Sequence, residues 1–258
     1  MRMKFVIFTK SNKNVKTAEE ALMKKCIDSG MELDPYHPDV VFVLGGDGTF
    51  LKAVHHFIDQ VDSVKFAGIR CGTLGFFYDY DEKDIPLFVD AILNGKAVEK
   101  EHRLLECSID DKIIYAVNEI RVESPFNTVT CEVKIDDEIF EQFRGNGLLV
   151  CGSLGSTAYN KSLGGSVISH DLDVLQLTEI SAIQNNIFSS LGSPIVLNSN
   201  STITLSGDFD NALIGYDHLT CECEKTSLIK IKASNKRIHI LYGEKHTTLS
   251  SVKRSFIK

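Results

Sequence analysis

Asp39-Val40-Val41-Phe42-Val43-Leu44-Gly45-Gly46-Asp47-Gly48-Thr49-Phe50-Leu51-Lys52-Ala53-Val54-His55-His56-Phe57-Ile58 is the stretch that decides the fold. Its first six residues form a short apolar run ahead of glycines, which suits a buried parallel strand. From Thr49 onward, Phe50, Leu51, Val54, Phe57 and Ile58 recur at helical spacing, and Thr49 is placed to cap that helix. Gly45, Gly46 and Gly48 let backbone amides come close to an anion, and the helix N-terminus favours negative charge. Asp47 sits among them. A carboxylate there repels a phosphate unless it holds Mg²⁺ or takes a proton from a nucleophilic hydroxyl. Strand, glycine loop, acid and helix together imply a phosphoryl-transfer site. It is not a P-loop, because Gly-x-x-x-x-Gly-Lys-Ser/Thr occurs nowhere in the chain.

Outward from this stretch, the first hundred residues alternate strand and helix. Lys4 to Thr9 reads as a strand, and Val15, Ala18, Leu22 and Cys26 mark one face of a following helix. Val64 to Arg70 reads as another strand, ending in a second glycine loop, Gly72-Thr73-Leu74-Gly75. Glu82 to Leu93 reads as a helix stopped by Asn94-Gly95. Repeated βα units imply a parallel sheet with ligands gathered at the carboxyl ends of its strands, where both glycine loops fall. Beyond Gly95 the texture changes to short alternating strands. Leu104 to Ile109 and Ile113 to Val117 flank Asp110-Asp111, and Val129 to Ile135 and Ile139 to Phe143 flank Asp136-Asp137. Thr202 to Leu205, Leu228 to Ala233 and Arg237 to Tyr242 follow as strands, with one helix expected at about Asp171 to Asn186. The expectation is an α/β protein. Residues 1–95 form a βα domain to which residues 236–258 return, and residues 96–235 form a β-rich, mainly antiparallel domain.

Composition bounds the partners. The chain has 258 residues and a net charge of −7, which argues against nucleic acid or an anionic membrane as the main partner. Its seven cysteines include no Cys-x-x-Cys pair, and Cys221 with Cys223 makes a poor zinc site by itself, so no structural metal is expected. Reduced thiols, no apolar run near the ~20 residues of a membrane span, and an N-terminus that reads as a strand imply a cytoplasmic protein.

Three further groups carry chemistry. Asn118-Glu119, at the end of a strand, can read sugar hydroxyls or the exocyclic amine of a base. Arg144-Gly145-Asn146-Gly147 and the run from Gly152 to Ser166 combine glycines with hydroxyls, and Tyr159 can stack on a flat ring. Asp217-His218 can contact a ribose or a phosphate.

In this order and at this spacing, these motifs resemble those of bacterial-type ATP-NAD kinases. The carriers are Gly45-Gly46-Asp47-Gly48-Thr49, Gly72-Thr73-Leu74-Gly75-Phe76, Asn118-Glu119, Gly155-Ser156-Thr157-Ala158-Tyr159, Leu191-Gly192-Ser193-Pro194 and Asp217-His218. The resemblance implies transfer of the terminal phosphoryl group of ATP, or of polyphosphate in some members, to the 2′-hydroxyl of the NAD adenosine ribose. It implies Asp47 as catalytic base or metal anchor, with Gly46, Gly48 and Thr49 handling phosphates with Mg²⁺ or another divalent cation. Phe76 would pack on the dinucleotide, and Asn118 and Glu119 would hold the adenosine. Thr157, Ala158, Tyr159 and Ser162 would line the nicotinamide side. Arg144 and Asn146 join them as binding residues, with Ser181 near the base and Asp217-His218 near the ribose or phosphate. A homodimer or homotetramer with a site shared between subunits is also implied.

Two segments depart from the family pattern. Asn146 stands where Asp is usual, and Cys151-Gly152-Ser153-Leu154 replaces a hydroxyl-rich run. Loss of a hydroxyl at Leu154 removes one hydrogen bond, about 1 kcal/mol net. Lipid kinases share the first motif but have Gly-Thr-x-Asn-Asp at the second loop, and a phosphofructokinase would be longer. A catalytically silent dinucleotide sensor is the rival of a different class; intact Asp47 and Asn118-Glu119 speak against it.

Overall fold

The computed structural model describes residues 2–10, 13–72, 75–210, 212–223 and 227–257, and the chain divides into two compact units. One comprises residues 1–102 and 236–258, the other residues 103–235. The chain passes between them within the strands Val98–Ile109 and Leu228–Tyr242.

In the first unit the strand Val40–Gly45 is buried along its whole length. It pairs in parallel with Lys4–Thr9 on one side and Lys65–Arg70 on the other. A strand covered on both faces is apolar throughout, which is why Asp39 to Leu44 shows no alternation. Glu32–Leu33 adds in parallel beyond Lys4–Thr9, while Tyr80–Asp81 and residues 239–241 add in parallel to Lys65–Arg70. The helix Lys13–Asp28 buries Val15, Ala18, Leu22 and Cys26, the face expected from its spacing. Each large apolar side chain buried in this way contributes roughly 1.5–3 kcal/mol. The helix expected over Glu82 to Leu93 is a 3₁₀ turn, Glu82–Asp84, followed by the α-helix Ile85–Leu93. Asp81 and Asp84 form a capping box at its start.

The second unit is antiparallel. One sheet runs in the order Ile195–Asn198, Val174–Ile180, Gly147–Gly152, Glu119–Glu123, Leu213–Tyr216, Leu219–Glu222. Glu138–Gly145, Val129–Ile135, Thr202–Asp208 and Leu228–Lys232 form a second antiparallel series. Both bury Val122, Val133, Phe143, Leu148, Ile203 and Ile231 into one core. Asp136 and Asp137, at φ 52° and 69°, make the two-residue turn between Ile135 and Glu138. Positive φ at both positions matches the right-handed twist of a hairpin, and short acidic side chains tolerate it.

Three expectations need correction. The helix expected over Asp171 to Asn186 is instead the strand Val174–Ile180, paired on both sides. Leu172 and Ile183, which a helical apolar stripe requires, are exposed, whereas Gln176 and Thr178 are buried. Short apolar runs of this kind fit both periods, and strand partners on both edges decided between them. Leu228 to Ala233 and Arg237 to Tyr242 are one strand, Leu228–Tyr242. Thr49 is not the cap: the helix spans Asp47–His56 with Gly46 at its N-cap and no side-chain cap. No described helix is long and apolar enough to cross a membrane.

Candidate functional site

The turn from strand to helix at Gly45 sets the candidate residues of the first unit. Gly45 has φ 157°, and a Cβ there would stand 2.6 Å from the Thr49 hydroxyl. Thr49 and Phe50 donate their N–H groups to the Gly46 carbonyl, closing the first turn at 2.7 and 3.2 Å. Asp47 therefore begins the helix, with its side chain directed at the loop that follows Lys65–Arg70. There the Phe76 N–H donates to Asp47 Oδ1 and Oδ2 at 2.9 and 3.1 Å, and the Phe77 N–H donates to Oδ1 at 3.4 Å. Gly75 leaves the room for this: a Cβ on it would lie 2.7 Å from both Asp47 Oδ1 and the Tyr78 ring. Burial raises the Asp47 pKa, while the Phe76 and Phe77 amides and the Arg254 charge pull it back. Thr73 and Leu74, from the second glycine motif, lie outside the described residues.

Phe76 is half-buried, with its ring 5.1 Å from that of Phe256, and Phe77 stacks on Phe50 at 4.4 Å. Gly46 and Thr49 are half-buried and Gly48 is exposed at the start of the helix. Among the described residues, the buried hydroxyls of Tyr78 and Tyr242 have no hydrogen-bond partner. Burial, then the charge of Asp47 or Asp79, holds both well above the usual phenol range.

A separate group of candidate residues lies in the antiparallel unit. Val117 and Asn118 donate their N–H groups to the two carboxylate oxygens of Asp217 at 2.9 and 2.7 Å. Asp217 N–H donates to the Glu119 carbonyl at 3.2 Å. Asp217 is thus committed to bracing the Asn118-Glu119 backbone, and exposed His218 follows it. The Glu119 side chain is buried, 3.3 Å from Arg121, which also lies 3.4 Å from Glu123. Glu119 Oε2 has no partner among the described residues. Burial and the Asp217 charge push Glu119 up to about 7; Arg121 opposes them and loses, because desolvation is the larger effect.

Tyr159 joins this group through Arg121, whose guanidinium lies 5.4 Å from its ring centre. Close approach depends on Gly155: a Cβ there would stand 1.8 Å from the Asn118 carbonyl oxygen. The segment 154–162 is held from below by buried Asn160, which donates to the Ser156 carbonyl at 3.2 Å and accepts from the Thr178 hydroxyl at 2.7 Å. Thr157 is buried and donates to the Leu154 carbonyl at 3.3 Å; Ala158 is half-buried and Ser162 exposed. Leu154, one of the departures from the family pattern, is buried, as is Cys151.

Arg144, Asn146 and Ser181 form a third group. The Arg144 guanidinium lies 5.3 Å from the Phe188 ring centre, and its carbonyl accepts from Ile183 N–H at 2.7 Å. Asn146 N–H donates to the Ile180 carbonyl at 2.9 Å, next to Ser181 at φ 50°. The Leu191-Gly192 motif is held by acids, with Leu191 N–H on Glu141 at 3.0 Å and Gly192 N–H on Glu179 at 2.9 Å.

Sequence reasoning missed Arg121, Asn160 and Arg254. Arg121 had a signal: Glu119, Arg121 and Glu123 alternate along a strand and so share one face. Arg254 had none, because Asp79, the acid it binds, is more than a hundred residues away.

A divalent cation can be tested against these residues. Among the described residues, no group of three or more His, Cys, Asp or Glu side chains could hold a metal ion. Asp47 offers one carboxylate with lone pairs left on Oδ2, which fits Mg²⁺ held mainly by nucleotide phosphates and water.

Comparison with known proteins gives consistent matches. The ATP-NAD kinase N-terminal domain matches residues 4–97, and the ATP-NAD kinase C-terminal domain matches residues 118–242. The chain is 38% identical over 244 residues to an NAD kinase of Lactobacillus helveticus, covering 92% of this chain and 90% of that protein. The fold is similar to that of yeast NADH kinase complexed with NADH, with a TM-score of 0.86 at 19% identity, covering 98% of this chain and 86% of the other. It is likewise similar to an NAD kinase from Archaeoglobus fulgidus in complex with ATP, with a TM-score of 0.81 at 21% identity, covering 98% and 100%.

Proposed function

The chain belongs to the ATP-NAD kinase family, and on that premise we propose that Asp47 carries the transfer of the ATP terminal phosphoryl group to the 2′-hydroxyl of the NAD adenosine ribose. The enzyme is a kinase that phosphorylates NAD with ATP and yields NADP. One observation carries the reading of Asp47. Its carboxylate opens a helix behind a glycine turn and is aimed by the Phe76 and Phe77 amides. An acceptor oriented in this way meets the nucleophile without reorganising.

In the proposed reaction the ribose hydroxyl oxygen forms a bond to the γ-phosphorus as the bond to the bridging oxygen breaks, and ADP leaves. The hydroxyl proton goes to the Asp47 carboxylate. A pKa raised by burial makes that carboxylate a somewhat stronger base, although a loose transition state needs little base strength. The helix start at Gly46 and Gly48, together with the Thr49 side chain, supports phosphate oxygens. Mg²⁺, when bound, would neutralise charge on the transferred group, held mainly by phosphate oxygens and water; in the alternative role of metal anchor rather than base, Asp47 would hold it through Oδ2. Asn118 and Glu119 bind the adenosine, and Thr157, Ala158, Tyr159 and Ser162 line the nicotinamide end. Phe76, Arg144, Asn146, Ser181, Asp217 and His218 complete the dinucleotide contacts. Asp217 serves through the backbone it braces. We further propose a cytoplasmic homodimer or homotetramer in which subunits share the site.

Formation of NADP by purified protein with NAD, Mg²⁺ and ATP, with polyphosphate in a parallel reaction, tests this reading. Asp47→Asn is expected to lower turnover by roughly 10²–10⁴-fold. Turnover like that of the wild type would remove Asp47 from the mechanism. Binding of NAD without turnover by the wild type would favour the sensor instead.

A further inference from the structure

The segment after Tyr242 folds back on the loop that aims Asp47, and a single carboxylate ties it there. Asp79 Oδ2 accepts the Gly243 N–H at 3.0 Å and lies 2.9 Å from His246 Nδ1. Asp79 Oδ1 accepts from Arg254 Nη1 at 3.2 Å, and Arg254 Nη2 donates to the Ser251 hydroxyl, also at 3.2 Å. The His246 ring is stacked on Tyr242 at 3.6 Å, with its side chain only 3% exposed. Burial pushes Asp79 upward, yet His246, the Gly243 amide and Arg254 together hold it below the ordinary carboxylate range. Asp79 is therefore an ionised anchor at neutral pH.

Residues 75–79 have neither helix nor strand to orient them. The direction of the Phe76 and Phe77 N–H groups is set by what surrounds the loop. On one side Phe77 stacks on Phe50. On the other, Phe76 meets Phe256, which the helix Thr248–Phe256 carries. That helix has its own capping box at Thr247 and Ser250, which satisfies the amides of its first turn. Resting on the reading of Asp47 given above, we infer that Asp79, His246 and Arg254 are positioning residues for Asp47. They clamp the C-terminal helix against residues 75–79, and so keep the Phe76 and Phe77 amides aimed at the carboxylate. A displacement near 1 Å at a reacting group can cost roughly 10²-fold in rate. A clamp remote from the substrates would therefore be felt in turnover and little in substrate affinity.

The test compares Asp79→Asn, Arg254→Met, Arg254→Lys and Asp47→Asn in the full chain. Turnover, KM for NAD and ATP, and thermal melting are measured for each. Arg254→Met and Asp79→Asn are expected to lower kcat by about 10- to 100-fold with both KM values held within about threefold. Arg254→Lys, which keeps the charge, recovers part of the loss. Arg254 is 27% exposed, so the Met and Lys pair carries the test if Asp79→Asn does not fold. Wild-type kcat in Arg254→Met, assayed well below its melting temperature, overturns the inference. Equal losses in the Lys and Met variants that merely follow lowered melting temperatures overturn it as well. Wild-type turnover in Asp47→Asn instead removes the reading of Asp47 beneath it, whatever the clamp variants do.

Discussion

Asp47 and Glu119 are both carboxylates taken largely out of water, and the two units treat them differently. Asp47 receives three backbone hydrogen bonds from Phe76 and Phe77. Glu119 Oε1 accepts from the Arg121 guanidinium at 3.3 Å, and its Oε2 has no partner among the described residues. Amides aimed at Asp47 hold a charge ready for chemistry, with little left to rearrange. Glu119, pushed up to about 7, is left short of donors. A buried acceptor in that condition costs stability until a donor arrives, such as a ribose hydroxyl or a base amine. Asp47 has its acceptors aimed by the fold, whereas Glu119 keeps an unpaired oxygen among the described residues, the difference on which its proposed binding role rests.

Each side of this comparison can be broken separately. The largest effect is expected from Gly75→Ala, whose methyl group would stand 2.7 Å from Asp47 Oδ1. Turnover should fall about 10²-fold while calorimetric NAD affinity stays near that of the wild type; unchanged turnover would mean that the aim of Asp47 is not critical. Gly155→Ala should do the converse. Its Cβ meets the Asn118 carbonyl at 1.8 Å, a backbone atom that cannot rotate away. NAD affinity and stability should each drop by about 1–3 kcal/mol. Retained affinity would show that Asn118 need not touch this segment.

Glu119→Gln sharpens the comparison through pH. Glu119 is raised from 4.5 to about 7, so the folded state binds its proton more tightly than the unfolded state. The stability this contributes is complete below about pH 4.5 and is lost as the pH rises to about 7. Glu141 is also pushed up to about 7 by burial, so the wild type and the variant should be compared at each pH. Glu119→Gln should match the wild type near pH 5 and exceed it by about 1–2 kcal/mol at pH 8 in denaturant titrations, while binding NAD more weakly. A constant difference across that range would mean that Glu119 is ionised throughout. The smallest effect belongs to Tyr159. Tyr159→Ala should weaken NAD binding by about 0.5–1.5 kcal/mol and Tyr159→Phe hardly at all, because the ring is the proposed contact. Equal losses would assign the contact to the hydroxyl.

Legibility followed the range of the interactions. The turn at Gly45 to Thr49 was readable because strand, glycines, acid and helix are contiguous and act within one βα unit. The Asp136-Asp137 hairpin was readable for the same reason. Residues 171–186 were misread, since Leu172, Leu175 and Ile183 suit a helix until partners on both edges claim Val174–Ile180 as a strand. Beside His218, Asp217 reads as a ligand contact; nothing in the sequence signals that its oxygens also accept the Val117 and Asn118 amides, about a hundred residues away.

What the sequence by itself determined is the α/β unit with its glycine-turn acid, the antiparallel texture of the second half and the ordered motifs that mark the family. Those features depend on near neighbours and on residue types that only certain backbones accept. Only the tertiary structure decided that Phe76 and Phe77 aim Asp47, that Gly155 makes room for Asn118, that burial outweighs Arg121 at Glu119, and that Asp79 draws His246 and Arg254 to the loop. Hydrogen-bond direction and desolvation depend on which distant residues the fold brings within a few ångströms, and no local pattern in the chain encodes that.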